Sequence, residues 1–345
     1  MSMTQTLDHL TRALAQDFQL VPIDAADCPV FLAAAWPLRD DVTGLRPRLP
    51  AGRGLTALQA LVATGAEAIE LRASLAQSHL ADLTRKAGLA MVRARDLLSG
   101  QMEAISAQHV YLDCAAALGE PLVCDATSTG CATGVTRQDA TLTALWECIE
   151  RDALALWWHG GAPASALTLE VIDRSQPRLC WWLEARDRNT TLYDLTTDIG
   201  LPVVASVSSD RDGRHVALGT AARPLHADAA LSAVTEMIQT EVAMQMARQV
   251  QDPEILAWDA FASTMVQPQF RPVALTTPAP PDNLLQRLAD LGLRALAVEL
   301  TLPGDPMPTM RVLVPGLCAM GGAIDTTRFR RLCPSAHRPT FPEPY

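Results

Sequence analysis

The chain has 345 residues, is 49% hydrophobic but only 5% aromatic, and carries a formal net charge of −10 at pH 7. That length suggests roughly two domains or one large one, with enough residues for a sizeable core. The acidic balance argues against nucleic acid as the main partner. The polar N-terminus has no signal-peptide pattern and no apolar run is long enough to span a membrane, so the expected location is the cytoplasm.

In chain order, Leu7, Leu10 and Leu14 recur at helical spacing and predict a first helix. The Pro/Gly-rich stretch over 37–54 reads as a connector. Helices are expected over Thr56–Leu75 and Ala81–Asp96, then short strands at "HVYLDC" and "PLVCDA" and a small-residue loop, "TSTGCATG". A long helix follows over Arg137–Trp158, and "LCWWLEARDR" reads as helical. "PVVASVSSD" and "HVALGTA", joined by "RDGR", predict a β-hairpin, and "ADAALSAVTEMIQTEVAMQMARQ" predicts a long helix. After a linker, "PVALTTPAPPDN", come a helix closed by Gly292 and two strands, "LRALAVELTL" and "TMRVLVPG". The tail "CPSAHRPTFPEPY" holds four prolines and should be extended. The alternation of helices and strands points to a mixed α/β (α+β) fold. The eight cysteines are scattered without a C-x-x-C pair, so they read as reduced core residues rather than zinc ligands or disulfides. The seven histidines pair visibly with no nucleophile.

Two segments resemble each other. "GLTALQALVATGAEAIE" starts at Gly54 and "GVTRQDATLTALWECIE" at Gly134, eighty residues later. Each opens with Gly, an apolar residue and a Thr suited to a helix N-cap. Each then carries Glu-x-Ile-Glu, placing Glu67 with Glu70, and Glu147 with Glu150, one turn apart on a helix. On the second helix Asp139 falls on the same face as Glu147 and Glu150, opposite an apolar stripe of Leu142, Leu145, Ile149 and Leu156. A solvated acidic face is the plain alternative. Two such helices facing across a cleft would crowd four or five carboxylates together, an arrangement that needs cations. All-oxygen ligands suit Mg²⁺, which keeps waters and takes phosphate oxygens, and Mg²⁺ with phosphate points to phosphoryl transfer. Glycines at 52, 54, 130 and 134 are expected to let backbone amides approach phosphate, and Arg53 and Arg151 to offset its charge. Glu236 and Gln239, three apart on the long helix, are candidates to join the cleft, with a plain polar stripe as the alternative. There is no Walker sequence and no kinase signature.

At these residues the chain resembles the YcaO family, and "ERDALALWW" is similar to the SagD-type azoline-forming cyclodehydratases. "DLTTDIGLPVVASVSSD", "ALSAVTEMIQ" and "MRVLVPGL" continue the resemblance in order, from about Leu49 to Pro315. It implies a YcaO fold of two related helix-containing halves around an ATP/Mg²⁺ cleft, with an N-terminal segment over 1–48, a catalytic domain over 49–333 and a proline-rich tail over 334–345. It implies that a Cys, Ser or Thr of a ribosomal precursor peptide attacks the preceding carbonyl. ATP then phosphorylates the oxyanion, and loss of phosphate leaves a thiazoline or oxazoline. By position, Glu67, Glu70, Glu147 and Glu150 would hold metals and phosphates. Arg53, Asp139, Arg151, Glu236 and Gln239 would contact the nucleotide, and Glu343 and the Tyr345 carboxylate would help move protons. A leader-binding partner protein, a flavin dehydrogenase and a homodimer within a complex are further expectations; the partner follows from a chain that the resemblance almost fills. Arg53, Ala63, Leu71 and Val135 depart from the usual Lys, Ser, Arg and polar residue of the family. They keep open the alternative of a catalytically weak scaffolding subunit; thioamide formation on the same chemistry is a second alternative.

Overall fold

A computed structural model of the chain describes residues 2–25, 27–45, 48–269, 281–318 and 324–334, without the side chains of 80–82 and 263–269. It divides into two compact units, the first made of Met1–Ala26, Phe31–Cys148 and Leu285–Pro315, the second of Asp27–Val30, Ile149–Leu284 and Gly316–Tyr345.

The first unit opens with α1 (Met3–Leu14), started by a capping box between Ser2 and Gln5. Strands β1 (Phe18–Ile23), β2 (Phe31–Pro37) and β3 (Ala51–Gly54) form an antiparallel sheet. The expected connector over 37–54 contains regular structure: Ala51–Gly54 pairs with Phe31–Ala34, and a 3-10 turn spans Asp40–Thr43. Helix α2 (Ala57–Ser74) packs Ala68, Ile69 and Leu71 against Leu10, Leu14 and Phe18.

The helix expected over Ala81–Asp96 is absent. A 3-10 turn at Ala76–Asp82 leads into β4 (Thr84–Lys86) and β5 (Leu89–Asp96), which form a hairpin. Ala87 and Gly88 have φ of +52° and +84°, the two left-handed residues of a tight hairpin turn. In β5 the residues Ala90, Val92, Ala94 and Asp96 are buried at alternate positions, a period of two that the small side chains disguise in the sequence. Strand β6 (Met102–Ser106) pairs with β5.

The expected strands at 109–114 and 121–126 are also absent. The first lies between a 3-10 turn at Ala107–His109 and α3 (Cys114–Leu118). In the second, the buried Gln108 side chain accepts the N–H groups of Val123 (2.8 Å) and Cys124 (3.2 Å) and donates to the Pro121 carbonyl (3.0 Å). One side chain thus does what a neighbouring strand would do. The small-residue loop that follows contains β7 (Cys131–Thr133). Helix α4 (Arg137–Trp158) has the predicted bounds, and the boundary between the units falls within it. Leu145, Ile149 and Leu156 are buried as expected, whereas Leu142 is exposed.

The second unit contains β8 (Ser165–Leu167), α5 (Glu170–Asp173), α6 (Pro177–Ala185), β9 (Arg188–Asp194), β10 (Val203–Asp210) and β11 (Ala217–Ala222). Its strands form an antiparallel sheet in the order β11-β10-β9-β8. Helix α7 (His226–Gln249) lies on β10 and β11, approaching so closely at Gly219 that an added Cβ would sit 2.2 Å from the Met237 nitrogen. Helix α8 (Pro253–Gln269), which the sequence reading missed, buries Trp258, whose Nε1 donates to the Val216 carbonyl at 2.9 Å.

Most of the expected linker at 272–283 lies outside the described residues. After it, α9 (Leu284–Asp290) leads to β12 (Leu296–Glu299) and β13 (Thr309–Leu313). These strands complete the first unit's second sheet, antiparallel in the order β4-β5-β12-β13-β7 with β6 on β5. Helix α10 (Thr327–Leu332) belongs to the second unit, and the tail beyond residue 334 lies outside the described residues. The fold is mixed α/β with antiparallel sheets.

Candidate active site

The repeat seen in the sequence is a repeat of structure. A strand (β3 or β7) runs through Gly54 or Gly134 to a capping Thr and then into α2 or α4. An added Cβ at Gly54 would lie 2.8 Å from the nitrogen of Ala60, and one at Gly134 would lie 2.4 Å from that of Ala140. The same tight turn therefore requires glycine at both positions. Gln59 donates its N–H to Thr56 Oγ1 (3.2 Å) and accepts the Thr56 N–H on Oε1 (3.1 Å). Asp139 does the same for Thr136, donating its N–H to Oγ1 (3.1 Å) and accepting the Thr136 N–H (3.1 Å) and hydroxyl (2.8 Å) on Oδ2. Asp139 is thus an exposed cap residue, eight positions before Glu147, or roughly 12 Å along the helix axis.

Glu67, Glu70 and Glu147 lie close enough for their charges to interact. Glu67 is exposed on α2 and Glu70, one turn on, is half-buried. Glu70 Oε2 accepts the Thr133 N–H at 3.2 Å, and Glu147 Oε2 on α4 accepts the Gly130 N–H at 3.1 Å. Withdrawal from water, then the like charges of Glu67 and Glu147, push the Glu70 carboxyl well above its ordinary range, with the Thr133 N–H and the Arg311 guanidinium opposing. Beside them, burial and then Glu70 raise the Cys131 thiol, while burial and then Glu147 push Cys148 up to about 12. These thiols are inert core groups. Two of the four glycine amides that the sequence suggested for phosphate have other acceptors: Gly130 donates to Glu147, and Gly134 donates to the Pro308 carbonyl at 3.0 Å.

Arg53 lies on β3 opposite Leu32. Arg311 was not singled out in the sequence, although a lone arginine inside the apolar strand "TMRVLV" is a signal of a buried charge. It is only 2% exposed and donates from Nη1 to the Ser128 carbonyl (3.0 Å) and from Nη2 to that of Thr127 (2.7 Å).

In the second unit, Glu150 is buried, with Oε1 accepting the Thr220 hydroxyl (2.6 Å) and Oε2 the Ala222 N–H (3.2 Å), both from β11. Arg151 is half-buried beside it. Asp152 is fully buried, accepting the Cys318 N–H and the Arg328 Nε, both at 2.9 Å. Glu236 and Gln239 sit half-buried, one turn apart on α7. Glu241, nearby in sequence, is tied to Arg186 at 2.8 Å and to the Ser208 hydroxyl, a structural role. Glu343 and Tyr345 lie outside the described residues.

Among the described residues, no group of three or more His, Cys, Asp or Glu is already gathered as a metal shell. The donor set nonetheless fits a hard cation. Its atoms are carboxylate oxygens, and the burial and like charges that raise the Glu70 carboxyl are what a divalent ion offsets. Mg²⁺ keeps several of its waters and needs only one or two carboxylates from the protein. All eight cysteines are free, and no helix among the described residues is long and apolar enough to cross a membrane.

Residues 72–318 match the YcaO family model, described as "YcaO cyclodehydratase, ATP-ad Mg2+-binding"; the match begins just after Glu70. Among solved structures, the chain is similar to a heterocyclase in complex with substrate and cofactor (TM-score 0.77, 20% identity, 92% of this chain and 53% of that one). It is also similar to YcaO from Methanopyrus kandleri bound with AMPPCP and Mg²⁺ (TM-score 0.68, 20% identity, 92% of both chains). A third similarity is to the E. coli microcin synthetase McbBCD complex (TM-score 0.65, 13% identity, 86% of both chains). The chain spans about half the length of the first of these. It covers 32% of an uncharacterized protein from Methanothermobacter thermautotrophicus, which is 32% identical to it over 124 residues. At these identities the solved structures speak for the fold, and the family model covers most of the chain: the protein belongs to the YcaO family.

Proposed function

We propose that the protein is an ATP-dependent cyclodehydratase that converts Cys, Ser or Thr residues of a ribosomal precursor peptide to thiazolines or oxazolines. The observation that carries this reading is the crowded set of Glu67, Glu70 and Glu147, two of them braced by backbone amides, with the Glu70 carboxyl raised by burial and by its two like-charged neighbours. Such a set is poised for a cation that carries phosphates. The family description and the likeness to a heterocyclase that binds substrate and cofactor support the same chemistry.

In this reading the peptide's side-chain oxygen or sulfur attacks the preceding carbonyl carbon and gives its proton to solvent. The resulting oxyanion takes the γ-phosphoryl group of ATP, releasing ADP. Loss of phosphate, together with the amide proton, forms the ring C=N bond. Mg²⁺, when bound, neutralises charge on the transferring phosphoryl oxygens. Glu67, Glu70, Glu147 and Glu150 would hold it and the phosphates, with Arg53 and Arg151 offsetting phosphate charge and Glu236 and Gln239 contacting the nucleotide. Asp139 would contact the nucleotide as well as close the cap that starts α4. We further propose that the protein works in the cytoplasm, within a complex whose leader-binding partner presents the peptide, in keeping with the McbBCD neighbour. A homodimer and a flavin dehydrogenase would be further components.

The test is to incubate the protein, its partner and the precursor peptide with ATP and Mg²⁺. Loss of one water mass per modified residue, with ADP and phosphate formed in step, is the expected result. Sulfur gained in place of an oxygen would mean thioamide formation, and nucleotide-independent modification would overturn the reading.

A further inference from the structure

We infer that Arg311 is the positioning residue of the carboxylate site, fixing the loop at 127–134 in the shape that aims two of its amides at Glu70 and Glu147. This rests on the reading of those glutamates as the Mg²⁺–nucleotide site.

Arg311 occupies the middle of β13, opposite Cys131 on β7 and Val298 on β12. A guanidinium this deeply buried is costly unless its donors are met. Among the described residues it forms no ion pair; its two outer nitrogens instead grip the successive carbonyls of Thr127 and Ser128. The Ser128 carbonyl also accepts the Cys131 N–H at 3.0 Å, closing a turn, and the Gly130 carbonyl accepts the Val312 N–H at 2.7 Å. The loop is thereby fastened on both sides of Gly130, whose N–H meets Glu147, and β7 carries on to Thr133, whose N–H meets Glu70.

Two features set Arg311 apart from a packing residue. Its Nε is buried without a hydrogen-bond partner, a cost that side-chain packing alone would remove by substitution. Its charge also lies near enough to Glu70 to oppose the upward shift of that carboxyl. A planar fork can hold two adjacent carbonyls at once, whereas the point charge of a lysine cannot do so in the same geometry. Arg311→Lys should therefore keep the charge, loosen the loop and misplace the carboxylates.

The test uses the full chain with its partner and compares wild type, Arg311→Lys and Arg311→Gln. Three readouts are taken: affinity for Mg²⁺·AMPPCP by calorimetry, melting temperature without ligand, and hydrogen exchange of the Gly130 and Thr133 amides. The expected result is Mg²⁺·AMPPCP binding about tenfold weaker in Arg311→Lys, with both amides exchanging faster while the protein remains folded. Unchanged affinity with only a lowered melting temperature would overturn the inference and leave the site reading standing. If wild type binds no Mg²⁺·AMPPCP, the site reading fails, and the inference with it. Should both variants fail to fold, wild-type exchange decides: protected Gly130 and Thr133 amides support the clamp, and exchange at open-loop rates overturns it.

Discussion

The Glu70 carboxylate accepts the Thr133 N–H at 3.2 Å, so a helix in one repeat is anchored to the strand that precedes the helix of the other. Glu147 takes the corresponding brace from Gly130. A glutamine at either position keeps an acceptor for the amide but loses the charge. We therefore expect Glu147→Gln to lower ATP-dependent modification at least about 100-fold, the scale of losing one preorganised electrostatic contact. Folding should not suffer, because removing one of three crowded like charges relieves repulsion. The check is modification rate alongside the melting temperature measured without Mg²⁺. Wild-type turnover in the variant would remove Glu147 from the site.

Glu70 keeps its proton above the ordinary glutamate value of 4.5, first because it is withdrawn from water and then because of Glu67 and Glu147. A carboxylate must lose that proton to bind a cation, so metal affinity should rise with pH. Stabilisation by Mg²⁺ with AMPPCP should accordingly grow as pH rises above 4.5 through the raised value. At a hundredfold excess over its dissociation constant the ligand adds about 2.7 kcal/mol. Glu70→Gln should flatten the pH dependence. Thermal melts across pH, with and without the ligand, decide this, and a pH-independent shift in wild type would contradict it.

The residues that were legible in the sequence are those whose signal is local. The Gly-x-Thr openings and Glu-x-x-Glu pairs mark α2 and α4 because caps and helix faces are set within a few residues, and α4 ends where its pattern ends. What was misread depends on distant partners. The strand β5 looks helical because its buried residues are small, and only pairing with β4, β6 and β12 fixes it as a strand. The segment at 121–124 looks like a strand until the Gln108 side chain is seen occupying its backbone. Asp139, on the same helical arc as Glu147, also closes the cap as Gln59 does eighty residues earlier, a second task that the arc alone does not show. Arg311 and Thr220 act on loops and helices far away in the chain, and no window of sequence shows them doing so.

Gly219 on β11 tests how closely α7 must approach the second unit's sheet. A Cβ there would lie 2.2 Å from the Met237 nitrogen and 2.3 Å from the Ala233 carbonyl oxygen, both backbone atoms of a helix that cannot yield locally. Gly219→Ala should force the helix away and cost about 1–3 kcal/mol or more. Because Glu236 lies on the same turn of α7, the variant should also weaken nucleotide binding. Urea unfolding gives the first quantity and calorimetry the second. A variant as stable as wild type would mean that the helix has slack the packing does not show.

His226, the first residue of α7, places Nε2 3.3 Å from Asp194 Oδ2. The hydrogen bond to Asp194 raises the imidazole above its ordinary value of 6.5, with partial burial opposing. The sign follows directly. A group that binds its proton more tightly when folded adds stability that is fully present below the unfolded value and is lost as pH rises through the folded one. Wild type should therefore exceed His226→Gln in stability most clearly below the ordinary value of 6.5, and the gap should close as pH rises through the raised value. The side chain is about one-third exposed, so the gap should stay under about 1 kcal/mol. Urea unfolding of both proteins across this range provides the measurement. A gap that stays constant with pH would show that the contact is held by packing and not by the charge on His226.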